Sequence, residues 1–122
     1  MKTTPVPNIY DYLLPEGITE YFEVSTVHQK EDVLTLVLEE RNIYPEGYQD
    51  KKLESKGFYP SSFLEDFPIR KNKVYLEIRR RKWRDSETGT TVSRDWHLTA
   101  KGTSYTKEFA SFLKRVGWTP LR

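Results

Sequence analysis

The run Lys73-Val-Tyr-Leu-Glu-Ile-Arg-Arg-Arg-Lys-Trp83 constrains the fold of this chain more than any other stretch. Successive side chains of a strand point to opposite faces. Val74, Leu76 and Ile78 therefore share one side, while Tyr75, Glu77, Arg79 and Arg81 share the other. The pattern predicts one long, half-buried strand. Asp85-Ser-Glu-Thr-Gly89 then turns the chain, with glycine placed for a positive φ, into a second strand over Thr90–Leu98. Together they predict a β-hairpin.

Two more strands are expected at Tyr21–His28 and Val33–Glu40, joined by the polar turn Gln29-Lys30-Glu31-Asp32. The second of these, VLTLVLEE, is apolar on both parities, which suits a strand buried on both sides. A helical reading of VLTLVLEERN stays open, because leucine and glutamate favour helix. Ile9–Leu14 reads as a short helical turn stopped by Pro15 and Gly17. Asn42–Ser62 holds Pro45, Gly47, Gly57 and Pro60 among charges and tyrosines, and reads as a long loop. Near the C-terminus Tyr105, Phe109, Phe112, Leu113 and Val116 form an apolar stripe at helical spacing. Thr103, Ser104 or Thr106 can cap that helix, Lys114 and Arg115 suit its C-terminal dipole, and Gly117 can end it. The fold class that follows is α+β: an antiparallel β-sheet with hairpins and a C-terminal helix packed on one face. Residues 1–122 are expected to form a single domain, with a flexible arm at 1–8, a loop at 42–62 and a frayed tail at 116–122.

Charge is distributed unevenly along this chain. Residues 1–69 hold 6 Lys/Arg and 13 Asp/Glu, whereas residues 70–122 hold 14 and 5, so −7 and +9 make up the net +2. Either the basic half presents an interaction surface, or the two halves fold together and neutralise each other. The apolar fraction of 36% allows only a thin core, although 14% aromatic residues supply large side chains to fill it. The chain has no cysteine, which excludes a disulfide framework and a thiolate zinc site. The opening MKTTPVPNIYDYLLPEG lacks the apolar run of a signal peptide, and no stretch approaches a membrane span, so a cytoplasmic protein is expected.

Catalytic patterns are missing. His28 and His97 are the only histidines, and neither lies in a recognisable motif. A metal site would need Asp85, Glu87, Asp95 and His97 to converge, at spacings that match no familiar ligand set. Glu39-Glu40 and Glu65-Asp66 would point to opposite faces of a strand and read as solvated charges. No enzyme, metal or cofactor is expected. Binding is a different matter: Arg79-Arg-Arg-Lys-Trp-Arg84 places five cations and an indole within six residues. Arg79, Arg81 and Trp83 would form a displayed row on a hairpin that can enter a major groove. Arg70, Lys71, Lys73, Arg80, Lys82, Arg84 and Arg94 complete the candidate nucleic-acid-binding set. The bland counterpart is an arginine-rich edge that discourages aggregation and pairs with the acidic half. Trp83, Trp96 and Trp118 are core or lid residues by default.

The segment Glu65-Asp-Phe-Pro-Ile-Arg-Lys-Asn-Lys-Val-Tyr-Leu-Glu-Ile-Arg-Arg-Arg-Lys-Trp83 resembles a recurring stretch of bacterial insertion-sequence transposases. There an Asp-x-Pro turn leads into alternating aliphatics that end in Arg-Arg and an aromatic residue. Leu14-Pro-Glu-Gly-Ile18, Leu53-Glu-Ser-Lys-Gly-Phe58, Ser93-Arg-Asp-Trp96, Ala100-Lys-Gly-Thr103 and Glu108-Phe-Ala-Ser-Phe-Leu113 are also similar to that family, extending the resemblance over about residues 13–114. The likeness is to a cysteine-free variant of the N-terminal zinc-finger region. This chain has Asp85 where the zinc-binding relatives have a cysteine, so a zinc-stabilised finger is excluded. The resemblance implies a non-catalytic accessory region that recognises DNA at the element ends, with the catalytic transposase subunit as a further partner and strand-transfer chemistry on that other polypeptide. The alternatives are a protein–protein adaptor docking on that subunit, which would display an apolar or mixed patch, and an inactive fragment.

Overall fold

The computed structural model describes residues 8–96 and 106–118. Two short helices and seven strands follow in the order α1 (Tyr10–Leu13), β1 (Phe22–Lys30), β2 (Val33–Glu40), β3 (Leu53–Phe58), β4 (Ser62–Ile69), β5 (Asn72–Arg79), β6 (Arg81–Asp85), β7 (Thr91–Ser93) and α2 (Lys107–Arg115). A 3-10 turn at Ile18–Glu20 leads into β1. The strands build two sheets, a four-stranded one ordered β1-β2-β5-β4 and a three-stranded one ordered β3-β6-β7. The expected α+β architecture with a C-terminal helix is what forms.

Leu36, Val37 and Leu38 of β2 are consecutive and all buried, which is the two-sided burial that its apolar pattern called for. The strand lies between β1 and β5, and the helical alternative is not adopted. Neighbouring strands are antiparallel except for β2 and β5, which run parallel from Val33↔Lys73 to Glu39↔Arg79. A parallel pair needs a long crossover. Here residues 41–71 provide it, passing through β3 in the other sheet and returning along β4.

Two expected segments of the sheets need correction. The stretch 42–62 is not one long loop, since it contains β3, paired with β6 in the second sheet. Only Leu53 of β3 is buried, and the register slips between Ser55 and Phe58, around Gly57 at φ +85°. A left-handed glycine at a bulge accommodates that slip. The run 73–83 is not one strand either. It divides at Arg80, where the chain leaves the four-stranded sheet and enters the three-stranded one. The Glu40 carboxylate fixes the far side of the break by accepting from the Arg81 backbone N–H at 2.9 Å. Tyr59 holds the break itself, its backbone N–H donating to the Arg80 carbonyl at 2.8 Å.

The main core lies between one face of the four-stranded sheet and α2. Leu36, Leu38, Val74, Leu76 and Ile78 meet Ile18, Phe22, Trp96, Phe109, Phe112 and Leu113 there. A second, smaller core beneath the three-stranded sheet consists of Leu53, Trp83 and Val92, with Tyr44 and Tyr48 against it. Thr106 caps α2, its hydroxyl accepting from the Phe109 N–H at 3.1 Å. At the other end Gly117, at φ +77°, allows the Trp118 N–H to reach the Leu113 carbonyl at 3.1 Å, which closes a Schellman turn. Residues 116–118 therefore cap the helix instead of fraying, and Trp118 packs beside Phe22, Trp96 and Phe112. Residues 119–122, the arm at 1–7, His97 and the 97–98 end of the expected second hairpin strand lie outside the described residues.

The turn between β1 and β2 is a tight pair, Glu31-Asp32, with Glu31 at φ +56°. A side chain in the left-handed region costs about 1–2 kcal/mol, partly offset by the entropy that glycine loses on folding. Glu31→Gly is expected to stabilise the protein by about 0.5–1 kcal/mol. Thermal unfolding checks this as a midpoint raised by several degrees.

Candidate nucleic-acid interface

Alternation along β6 determines where the cations go. Trp83 and Asp85 are buried and face inward, so Lys82 and Arg84 face outward. Side chains two residues apart stand roughly 7 Å apart along a strand, making Lys82 and Arg84 an outward pair, with Arg80 at the break just before them. This is the opposite parity from the expected Arg79–Arg81–Trp83 row. Trp83 decides it: the indole is 0% exposed, and its Nε1–H donates to Asn42 Oδ1 at 2.8 Å.

The odd-parity arginines are taken up within the molecule. Arg79 donates through Nη2 and Nε to Glu77 at 3.0 and 3.2 Å, and through Nη1 to Glu39 at 3.2 Å. Arg81 donates through Nε to the Glu40 carbonyl at 2.9 Å and through Nη1 to Ser55, and its guanidinium lies over the Phe58 ring at 4.7 Å. Arg94, with a side chain only 13% exposed, donates to Glu40 Oε2 at 3.1 Å and to the Ile43 carbonyl at 2.7 Å. It also packs over Tyr21 and Trp96. Glu40 is therefore not a solvated charge, being 1% exposed and bonded to both Arg81 and Arg94. Burial pushes its carboxyl above the usual 4.5, opposed by the Arg81 backbone N–H and by the charge and hydrogen bond of Arg94. Arg79–Glu39, Arg94–Glu40 and Lys71–Asp32 each join a cation of the basic half to a carboxylate of the acidic half. The two halves neutralise each other at these points.

The remaining cations form two groups instead of one contiguous patch. Arg70, Lys71 and Lys73 are exposed at the turn between β4 and β5, next to the β1–β2 turn. Lys71 reaches Asp32 at 3.6 Å, an exposed pair of little energetic weight. Arg80 lies at the other end of β5, roughly 25 Å away by strand length, and Lys82 and Arg84 follow it on β6. Among the described residues no carboxylate lies within ion-pair distance of Arg70, Lys73, Arg80, Lys82 or Arg84. Sequence reasoning missed Tyr59 and Trp118, whose rings flank Arg80 at 4.9 and 5.2 Å. Their only advance sign was aromatic character, in stretches read as loop and tail.

Of the candidate ligands around the β6–β7 turn, His97 lies outside the described residues. Asp85 accepts from the Glu87 and Thr88 backbone N–H groups at 2.9 and 3.4 Å and so shapes the turn. Among the described residues no cluster of three or more His, Asp or Glu side chains could hold a metal ion, and no helix is long and apolar enough to cross a membrane. Comparison with protein-family models, curated proteins and solved structures finds no match to this chain.

Proposed function

We propose that this chain is a non-catalytic DNA-binding accessory region of a bacterial insertion-sequence transposase, working in the cytoplasm beside the catalytic subunit at the element ends. One observation carries the reading: Lys82 and Arg84 project from one side of β6, and Arg80 sits at the break just before it, all three without carboxylate partners among the described residues. Neighbouring Arg79, Arg81 and Arg94 are neutralised or hydrogen-bonded within the fold. A row of unspent cations on a polar sheet face suits backbone phosphates. The sequence resemblance over about residues 13–114 supplies the transposase part of the proposal.

Binding to a labelled duplex carrying the element's terminal repeat, titrated with salt, tests this. Each phosphate contact contributes a slope of about −0.9 in log K against log[salt]. Lys82→Ala/Arg84→Ala is expected to flatten that slope by about 2, whereas Arg79→Ala should leave it unchanged because Arg79 is already paired. Absence of binding at low salt, or equal effects of both variants, would overturn the proposal.

An adaptor role has its own supporting observation. A groove of about 440 Å³ between α1, β4 and α2 presents Tyr12, Leu13 and Phe67, and Phe67 is 85% exposed. Under that reading the catalytic subunit occupies the groove, and Phe67→Asp abolishes co-purification with it while DNA affinity is unchanged.

A further inference from the structure

Arg80 is held differently from the other arginines of its run. Its guanidinium carbon lies 4.9 Å from the centre of the Tyr59 ring and 5.2 Å from that of Trp118, and the Lys82 ammonium lies 5.5 Å from the same Tyr59 ring. Arg79 and Arg81 spend their N–H groups on Glu77, Glu39, Glu40 and Ser55. Among the described residues Arg80 makes no side-chain hydrogen bond or ion pair, so its donors are unspent.

Both rings are themselves fixed. The Tyr59 backbone N–H bonds to the Arg80 carbonyl at 2.8 Å. Trp118 is set by the Schellman turn after α2 and packs on Phe22 and Trp96 at 5.8 and 5.6 Å. Stacking immobilises the guanidinium before any ligand arrives, which removes much of the rotamer entropy that an exposed arginine loses on binding. Two cations held at one ring concentrate positive charge there, which an anion relieves. A tetrahedral oxyanion with several acceptor oxygens answers both needs, since it takes two donors of the guanidinium fork and the ammonium together.

We propose that Arg80 and Lys82, positioned by Tyr59 and Trp118, form a preorganised clamp for one backbone phosphodiester of duplex DNA. The inference rests on the DNA-binding reading and adds a specific anchor to it. Because Trp118 belongs to the cap of α2, the clamp also ties the anchor to the main core, so the bound strand is fixed relative to both sheets.

The test follows side-chain Nε–H resonances of the ¹⁵N-labelled protein while a short mixed-sequence DNA duplex, or inorganic phosphate alone, is titrated in. Arg80→Lys assigns the Arg80 signal. With the duplex, that signal is expected to shift at stoichiometric addition and its solvent exchange to slow; inorganic phosphate at the same concentration should leave it in place. Equal saturation by inorganic phosphate would overturn the phosphodiester assignment. Movement of the Lys82 and Arg84 amides with a still Arg80 side chain would overturn the clamp while the DNA-binding reading stood. No shift anywhere would overturn both. Arg80→Lys keeps the charge but loses the planar fork, so it is expected to lower duplex affinity about tenfold with little change in salt slope. Lys82→Arg should cost far less. A thermal midpoint and near-UV spectrum close to those of the parent protein confirm that Arg80→Lys has kept the ring pocket.

Discussion

Glu40→Ala is expected to remove about 3–5 kcal/mol of folding stability, because it leaves a mostly buried guanidinium without its counter-charge. Glu40 ends β2 and is 1% exposed. One carboxylate oxygen accepts the Arg81 N–H where the chain enters the second sheet; the other accepts from Arg94, which follows β7. A single side chain thus pins β2 of the four-stranded sheet to both ends of the β6–β7 hairpin. Truncation also orphans the Arg81 N–H, so the loss should concentrate at the junction of the sheets. Glu40→Gln retains an acceptor and is expected to cost about half as much. Urea unfolding of the two variants checks both values. A loss below about 1 kcal/mol for Glu40→Ala would mean that the pair contributes no more than a surface ion pair does.

The same residue sets a pH dependence with a definite sign. Glu40 is raised above 4.5 in the fold, chiefly by burial. A carboxyl raised in the folded state contributes stability that is present below 4.5 and is lost as pH climbs through its folded value. Glu77 behaves oppositely. Burial pulls it upward, but the Ser61 hydroxyl and Arg79 outweigh that pull and hold it below 4.5. Its contribution is present above 4.5 and disappears as pH falls through the lowered folded value. Stability measured against pH should therefore lose its decline above 4.5 in Glu40→Gln, and its decline below 4.5 in Glu77→Gln.

Which features were legible in the sequence follows from how each segment buries its side chains. β5 and α2 were readable because one face of each carries nearly all its apolar residues, and burial follows the 2.0 or 3.6 period faithfully. β3 was hidden because it buries only Leu53 and carries a bulge at Gly57. β4 was hidden for the opposite reason: Phe63 and Phe67 are 65% and 85% exposed, and Pro68 is tolerated because β4 is an edge strand. The parallel β2–β5 pair joins segments far apart in the chain, and no local pattern encodes it. The break at Arg80 did leave a trace. Ile78 and Trp83 are five residues apart, so an uninterrupted strand could not bury both on one side. The four cations between them contain no apolar marker of parity, and the display face was accordingly read the wrong way round. For Glu39-Glu40, opposite faces was the correct expectation, but Glu40 faces the junction between the sheets and not water.

Trp83→Ala is expected to cost about 3–5 kcal/mol and to abolish DNA binding without removing a single cation. The indole is the largest of three buried residues in the second core, so only Leu53 and Val92, with the half-buried Tyr44 and Tyr48 against them, would remain beneath the three-stranded sheet. Asn42 Oδ1 would lose its donor as well. A sheet of three short strands cannot hold its pairing without an apolar face, and the four-stranded sheet keeps a separate core of its own. Loss is therefore expected to be local: amide exchange protection should collapse in β3, β6 and β7 while β2, β5 and α2 stay protected. Trp83 also fixes which parity of β6 faces outward, so releasing it frees Lys82 and Arg84 from their common row. Trp83→Phe separates packing from the hydrogen bond and should cost about 1–2 kcal/mol, with the row and the DNA affinity largely kept. If Trp83→Ala melted both sheets together, the two cores would be one cooperative unit. If it opened the small sheet yet left duplex affinity intact, the outward row of β6 would not be the DNA-binding surface.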